Sequence, residues 1–109
     1  MKTQRQQQLE ARAKVLKALA HPSRLLMVEE LEAGERCVCD LQQLVGADMS
    51  TVSKHLSVLR NAGIVIDDKR GNQVFYRLRV PCVTGFFDCI EAVLSEQARC
   101  SSAACGGIG

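Results

Sequence analysis

Between Gly63 and Pro81 the chain changes its period, and that interruption limits the folds open to it more than any other feature. Ahead of it, apolar residues recur at helical spacing. Leu9, Ala13, Leu16, Leu19 and Ala20 mark one amphipathic helix. Pro22 suits the first turn of a second, expected to bury Leu25, Leu26 and Leu31 and to stop near Gly34. A short third helix is predicted from Val38 to Val45, ended by Gly46. A fourth, capped by Asp48 or Ser50, ends at Gly63. Within the interruption, Ile64-Val65-Ile66 and Val74-Phe75-Tyr76-Arg77-Leu78 are β-rich runs around a charged turn containing Gly71-Asn72. Pro81 then opens a last helix with a broad apolar stripe of Val83, Phe86, Phe87, Ile90, Val93 and Leu94.

That order predicts a mainly α fold with a small two-stranded β-hairpin: a winged helix-turn-helix with an additional helix at each end. At 109 residues one domain is expected, over residues 1–99, followed by a flexible, Gly-rich, Cys-containing tail at 100–109. No apolar run approaches the roughly 20 residues of a membrane span, and Met1 to Gln8 are polar. A cytoplasmic protein with no membrane partner is therefore expected.

The net charge of +2 becomes informative once it is located. Between Ser50 and Arg79 lie six basic residues against two acidic ones, which leaves eight basic and ten acidic for the rest of the chain. Positive charge is thus concentrated where a phosphate-binding surface needs it. On a helical wheel Val52, Leu56 and Leu59 converge on one face, with Met49 at its border. Ser50, Lys54, Ser57 and Asn61 lie opposite, flanked by Thr51 and Ser53. A face of short polar and cationic side chains can enter a major groove without obstruction. The candidate contacts to double-stranded DNA are Ser50, Thr51, Ser53, Lys54, His55, Ser57 and Arg60, with Lys69 and Arg70 of the hairpin reaching phosphate. His55, beside the apolar stripe, suits packing or a phosphate contact. Few aromatics are present, so there is no stacking platform of the single-strand-binding kind.

Upstream of this element stands Glu35-Arg36-Cys37-Val38-Cys39-Asp40-Leu41. Six cysteines in a chain with no leader and with helical periodicity read as free thiols rather than a disulfide framework. A helix start and the neighbouring Arg36 favour thiolate at Cys37 and Cys39, and paired thiolates select soft ions. Residues i and i+2 of a helix point about 200° apart, whereas in an extended segment they face the same side. One ion is gripped by both only if the helix start gives up helical geometry. That change would displace the helix that follows, so DNA-bound and effector-bound forms would exclude each other. Cys100 and Cys105 are candidates for a further ligand, folding back or crossing to a second subunit, while Cys82 and Cys89 read as structural. With neither a Cys-x-x-Cys pair nor paired Cys/His logic, no enzyme is expected.

Three phrases resemble the ArsR/SmtB family of bacterial metal-responsive repressors: Ala18 to Leu25 (ALAHPSRL), Met49 to Ile64 (MSTVSKHLSVLRNAGI) and Val74 to Leu78 (VFYRL). Cys37-Val38-Cys39-Asp40-Leu41 is similar to the thiol motif of the arsenical- and cadmium/lead-responsive members. The resemblance implies a homodimeric repressor whose terminal helices form the interface and which leaves its operator when the effector binds. It implies As(III) or Sb(III) as effector, with cadmium, lead, another soft metal or thiol oxidation as the alternative. Gln42 stands where arsenical repressors of the best-known type carry a third cysteine, and residues 1–36 lack the cysteines of cadmium/lead sensors. The last helix offers Asp88 and Glu91 but no histidine, unlike the zinc-sensing members.

Overall fold

The structure, a computed structural model, describes the backbone of residues 1–102 and the side chains of residues 1–99. Helix α1 (Gln4–Leu19) begins at Thr3, whose hydroxyl accepts from the Gln6 amide while the Gln6 side chain reaches back to the Thr3 amide. Helix α2 (Pro22–Glu32) is capped by His21, whose Nδ1 accepts from the Ser23 amide at 3.1 Å. Strand β1 (Arg36–Cys37) leads directly into α3 (Val38–Val45). At Gly46 the chain turns with φ +76°, a left-handed conformation that glycine adopts without a Cβ clash, and Asp48 caps α4 (Met49–Asn61). Strands β2 (Val65–Arg70) and β3 (Gln73–Leu78) follow, then a 3-10 turn (Pro81–Thr84) and α5 (Gly85–Ser102).

The sheet is three-stranded, in the order β1-β3-β2, rather than the expected two-stranded hairpin. Strand β1 is two residues long, too short to show a period, yet it pairs Arg36 with Tyr76 and Cys37 with Phe75. The expected charged turn is also mostly strand: Asp67 to Arg70 pair in register with Tyr76 to Gln73, leaving Gly71-Asn72 as a two-residue connection.

Met27, Leu41, Leu56, Leu59, Val28, Val52 and Val65 are fully buried. As the wheel predicts, α4 buries Val52, Leu56 and Leu59. On α2 Leu31 is buried and Leu25 packs against the core as expected, but Leu26 is exposed, and Met27, about 100° around the helix from it, is buried with Val28 instead.

The stripe on α5 is only partly covered by this chain. Val83 and Phe87 pack on the core, whereas Phe86, Ile90, Val93 and Leu94 are exposed, as are Leu9 and Leu16 of α1. Arg12, Val15, Leu16, Leu19, Val83 and Phe86 line an open apolar groove of about 370 Å³ between the two helices. Cys82 of the 3-10 turn and Cys89 of α5, read as structural, are both exposed. Helix α5 continues through Ser102, two residues past Cys100, the expected start of the tail; the Cys100 side chain and all of Cys105 lie outside the described residues. Among the described residues no helix is long and apolar enough to cross a membrane.

Candidate nucleic-acid interface and thiol pair

Helices α3 and α4 form a helix-turn-helix whose turn is pinned from both sides. Gln42 donates from Nε2 to the Ala47 carbonyl at 3.4 Å, and Asp48 Oδ1 accepts from the Thr51 amide at 3.3 Å. Hydrogen bonds from Thr51 hold the Asp48 carboxyl below the usual carboxylate range, so the cap stays ionised where the helix dipole favours an anion. From this capped start Ser50, Thr51, Ser53 and Lys54 project into solvent, with Ser57 half-buried one turn on. Their shared face is the one opposite Val52, Leu56 and Leu59.

The other candidate contacts are engaged within the protein. Arg60 Nη1 binds Asp67 Oδ2 of β2 at 2.9 Å. Arg70 binds both oxygens of Glu35, at 2.7 and 2.8 Å, and Asp68 at 2.9 Å, with its guanidinium over the Phe75 ring at 4.7 Å. Of the candidate contacts, Lys54 and Lys69 make no ion pair among the described residues, and neither do the exposed Arg77 and Arg79 of the same basic region, so these charges are available for phosphate.

His55 faces inward, toward the start of α2. Its ring centroid is 4.3 Å from that of His21, and Arg24 Nη1 lies 3.3 Å from its Nδ1. Burial first, then the charges of His21 and Arg24, push the His55 imidazole below its ordinary value of 6.5. A base depressed on folding contributes stability that is present above the unfolded value and lost as pH falls through the folded one. Thermal unfolding is therefore expected to show a decline in Tm below pH 6.5, and His55→Gln, which keeps an acceptor for Arg24, is expected to flatten it. An unchanged pH profile in the variant would assign the decline to other groups.

Cys37 is the buried N-cap residue of α3, with extended φ −79° and ψ 159°, and Cys39 is exposed in the first helical turn. The thiols thus straddle the strand-to-helix junction: one belongs to the sheet, the other to the helix. No group of three or more His, Cys, Asp or Glu suited to a metal occurs among the described residues. Three connections were invisible in the sequence: Glu35–Arg70, His21–His55–Arg24 and Gln42–Ala47. Each joins residues without motif spacing, and only the fold brings the first two together.

Residues 21–67, from the cap of α2 into β2, match the sequence profile of the bacterial regulatory proteins of the arsR family. The HTH-type transcriptional regulator NmtR of Mycobacterium tuberculosis is 44% identical over 85 residues, 78% of this chain and 69% of that protein. The chain belongs to the arsR family. This arsR-family chain is accordingly a DNA-binding transcriptional regulator and not an enzyme. The arsenical resistance operon repressor of Escherichia coli is 43% identical over 65 residues, 59% of this chain and 55% of that protein. Among solved structures, the homodimeric winged helix-turn-helix DNA-binding domain Mb0332 of Mycobacterium bovis superposes with a TM-score of 0.76 at 28% identity. That match covers 90% of this chain and 91% of the other.

Proposed function

We propose that this regulator is a homodimeric repressor which leaves its operator when Cys37 and Cys39 grip a soft, thiophilic ion, As(III) or Sb(III). The observation that carries this reading is the position of Cys37. It caps α3 of the helix-turn-helix and at the same time pairs with Phe75 of the wing. Any change of geometry at this thiol is therefore felt by both parts of the DNA-binding surface.

The residues fit such an ion in part. Cys37 is already extended, so only the turn holding Val38 and Cys39 has to open for both sulfurs to face one centre. Two thiolates suffice to bind, and a third donor comes from Cys100 or Cys105 or from the second subunit. Release of the operator needs no more than this: the opened turn and the pinned helix-turn-helix are alternative states of one segment. On DNA, Ser50, Thr51, Ser53, Lys54 and Ser57 meet the major groove. Lys69 lies toward phosphate, Arg60 and Arg70 being held by carboxylates of their own chain, and His55 supports the reading helix from behind. The exposed apolar faces of α1 and α5 bury each other across a two-fold axis. The arsenical repressor and the homodimeric structural neighbour among its relatives support this assignment.

Fluorescence anisotropy of the reduced protein on its upstream DNA, titrated with arsenite and in parallel with Cd(II), tests the reading. Arsenite is expected to weaken DNA binding by about 10- to 100-fold, the usual range of such couplings. In a Cys37→Ser, Cys39→Ser variant the change is expected to vanish while ligand-free DNA affinity stays near that of the parent. Release by Cd(II) alone, or arsenite release that survives the double substitution, would overturn the assignment of ion or of site.

A further inference from the structure

We propose that Glu35 is a positioning residue which clamps the wing to the thiol segment and opens when the thiols take their ion; this rests on the function proposed above. Arg70 stands at the end of β2 beside the turn, and Glu35 lies two residues before Cys37. The two are 35 positions apart in sequence, joined by a two-point contact of 2.7 and 2.8 Å. An isolated exposed ion pair contributes little. This one has the planar fork geometry in which guanidinium and carboxylate bind at two points, and its cation is further fixed by Asp68 and by the Phe75 ring. Phe75 is also the cross-strand partner of Cys37.

Wing tip, β3 and the segment from Glu35 to Cys39 are therefore one mechanical unit. With two carboxylates on it, Arg70 has little net charge left for phosphate, and its contribution to DNA binding is to fix where the wing, and Lys69 with it, is held. Closing an ion between Cys37 and Cys39 opens the turn that follows Cys37, and the pull on Cys37 reaches Glu35, two residues before it. The clamp opens, the wing loses its fixed orientation, and ordering it again on DNA costs entropy.

Simple electrostatics and the clamp predict opposite signs for one substitution. Glu35→Gln removes a negative charge beside a DNA-binding surface, which on charge alone tightens binding. The clamp requires weaker binding, by about threefold to tenfold, together with a smaller arsenite-induced change. By reciprocity, arsenite should bind the DNA-free variant more tightly, read from its ultraviolet thiolate absorbance. Asp67→Asn is the matched control, since it removes the same charge from the same strand but from Arg60, leaving Arg70 and its carboxylates in place. It is expected to leave DNA affinity equal or tighter and the arsenite response unchanged.

If Glu35→Gln tightens DNA binding as Asp67→Asn does, or leaves it unchanged, the clamp is refuted. If arsenite fails to move even the parent protein, the effector assignment is lost, and the opposite DNA affinities of the two variants still decide whether the clamp exists.

Discussion

Val93→Asp is expected to convert the protein to a monomer and to abolish operator binding at concentrations where the parent is saturated. Val93 is 65% exposed in the single chain, in a stripe with Phe86, Ile90 and Leu94. A carboxylate there meets water in the monomer, so the fold itself should change by no more than about 0.5 kcal/mol. In a dimer closed through α1 and α5 the same carboxylate enters an apolar interface without a partner, a cost of about 3–5 kcal/mol. Two-fold symmetry applies that cost twice, enough to raise the dimer dissociation constant by well over about a thousandfold. Sedimentation velocity and anisotropy on the same sample provide the check. A variant that remains dimeric would place the interface elsewhere and leave the apolar stripe without its proposed cover.

Leu56→Ala is expected to cost the most stability of any single truncation on the reading helix. Leu56 has no exposed surface and packs in the central cluster with Val52, Leu59 and Met27. Truncation of such a side chain removes about 2–5 kcal/mol, a large part of the roughly 5–15 kcal/mol that holds a domain together. At about 4–8 °C per kcal/mol, Tm should fall by at least about 8 °C in a thermal melt. Val58→Ala, two residues on and 38% exposed, is the comparison and should stay within about 0.5 kcal/mol. Equal losses at both positions would mean that α4 is packed on a different face. DNA binding by the Leu56 variant at low temperature should survive, because Leu56 lies opposite the Ser50, Lys54 and Ser57 face.

Several features were legible before any coordinates. Gly46 marks the end of α3, and Asp48 or Ser50 the start of α4, because a left-handed cap and an N-cap are local chemistry; the structure takes Asp48. Val52, Leu56 and Leu59 declare the buried face of α4 through spacing alone. Strand β1 was missed for an equally physical reason. Two residues carry no period, and Arg36 and Cys37 become a strand only when β3 offers its free edge. On α2, propensity leaves the rotation of the helix open, so Leu26 and Met27 exchange places once α1, α3 and α4 determine where the core lies.

The candidate site divides along the same line. The amino-acid sequence alone determined the chemistry available: paired soft thiols before a helix start, a short polar reading face, and excess positive charge between Ser50 and Arg79. It also determined the order of elements, since caps, turns and periodicity are properties of neighbouring residues. Tertiary structure decided which of those charges are free. It spent Arg70 on Glu35 and Asp68, Arg60 on Asp67, and His55 on the joint with His21 and Arg24, and it left Lys54, Lys69, Arg77 and Arg79 exposed. It also decided that Cys37 belongs to the sheet while Cys39 belongs to the helix. Pairings across 35 positions follow from how packed helices and strands are placed in space, and no local pattern encodes that placement.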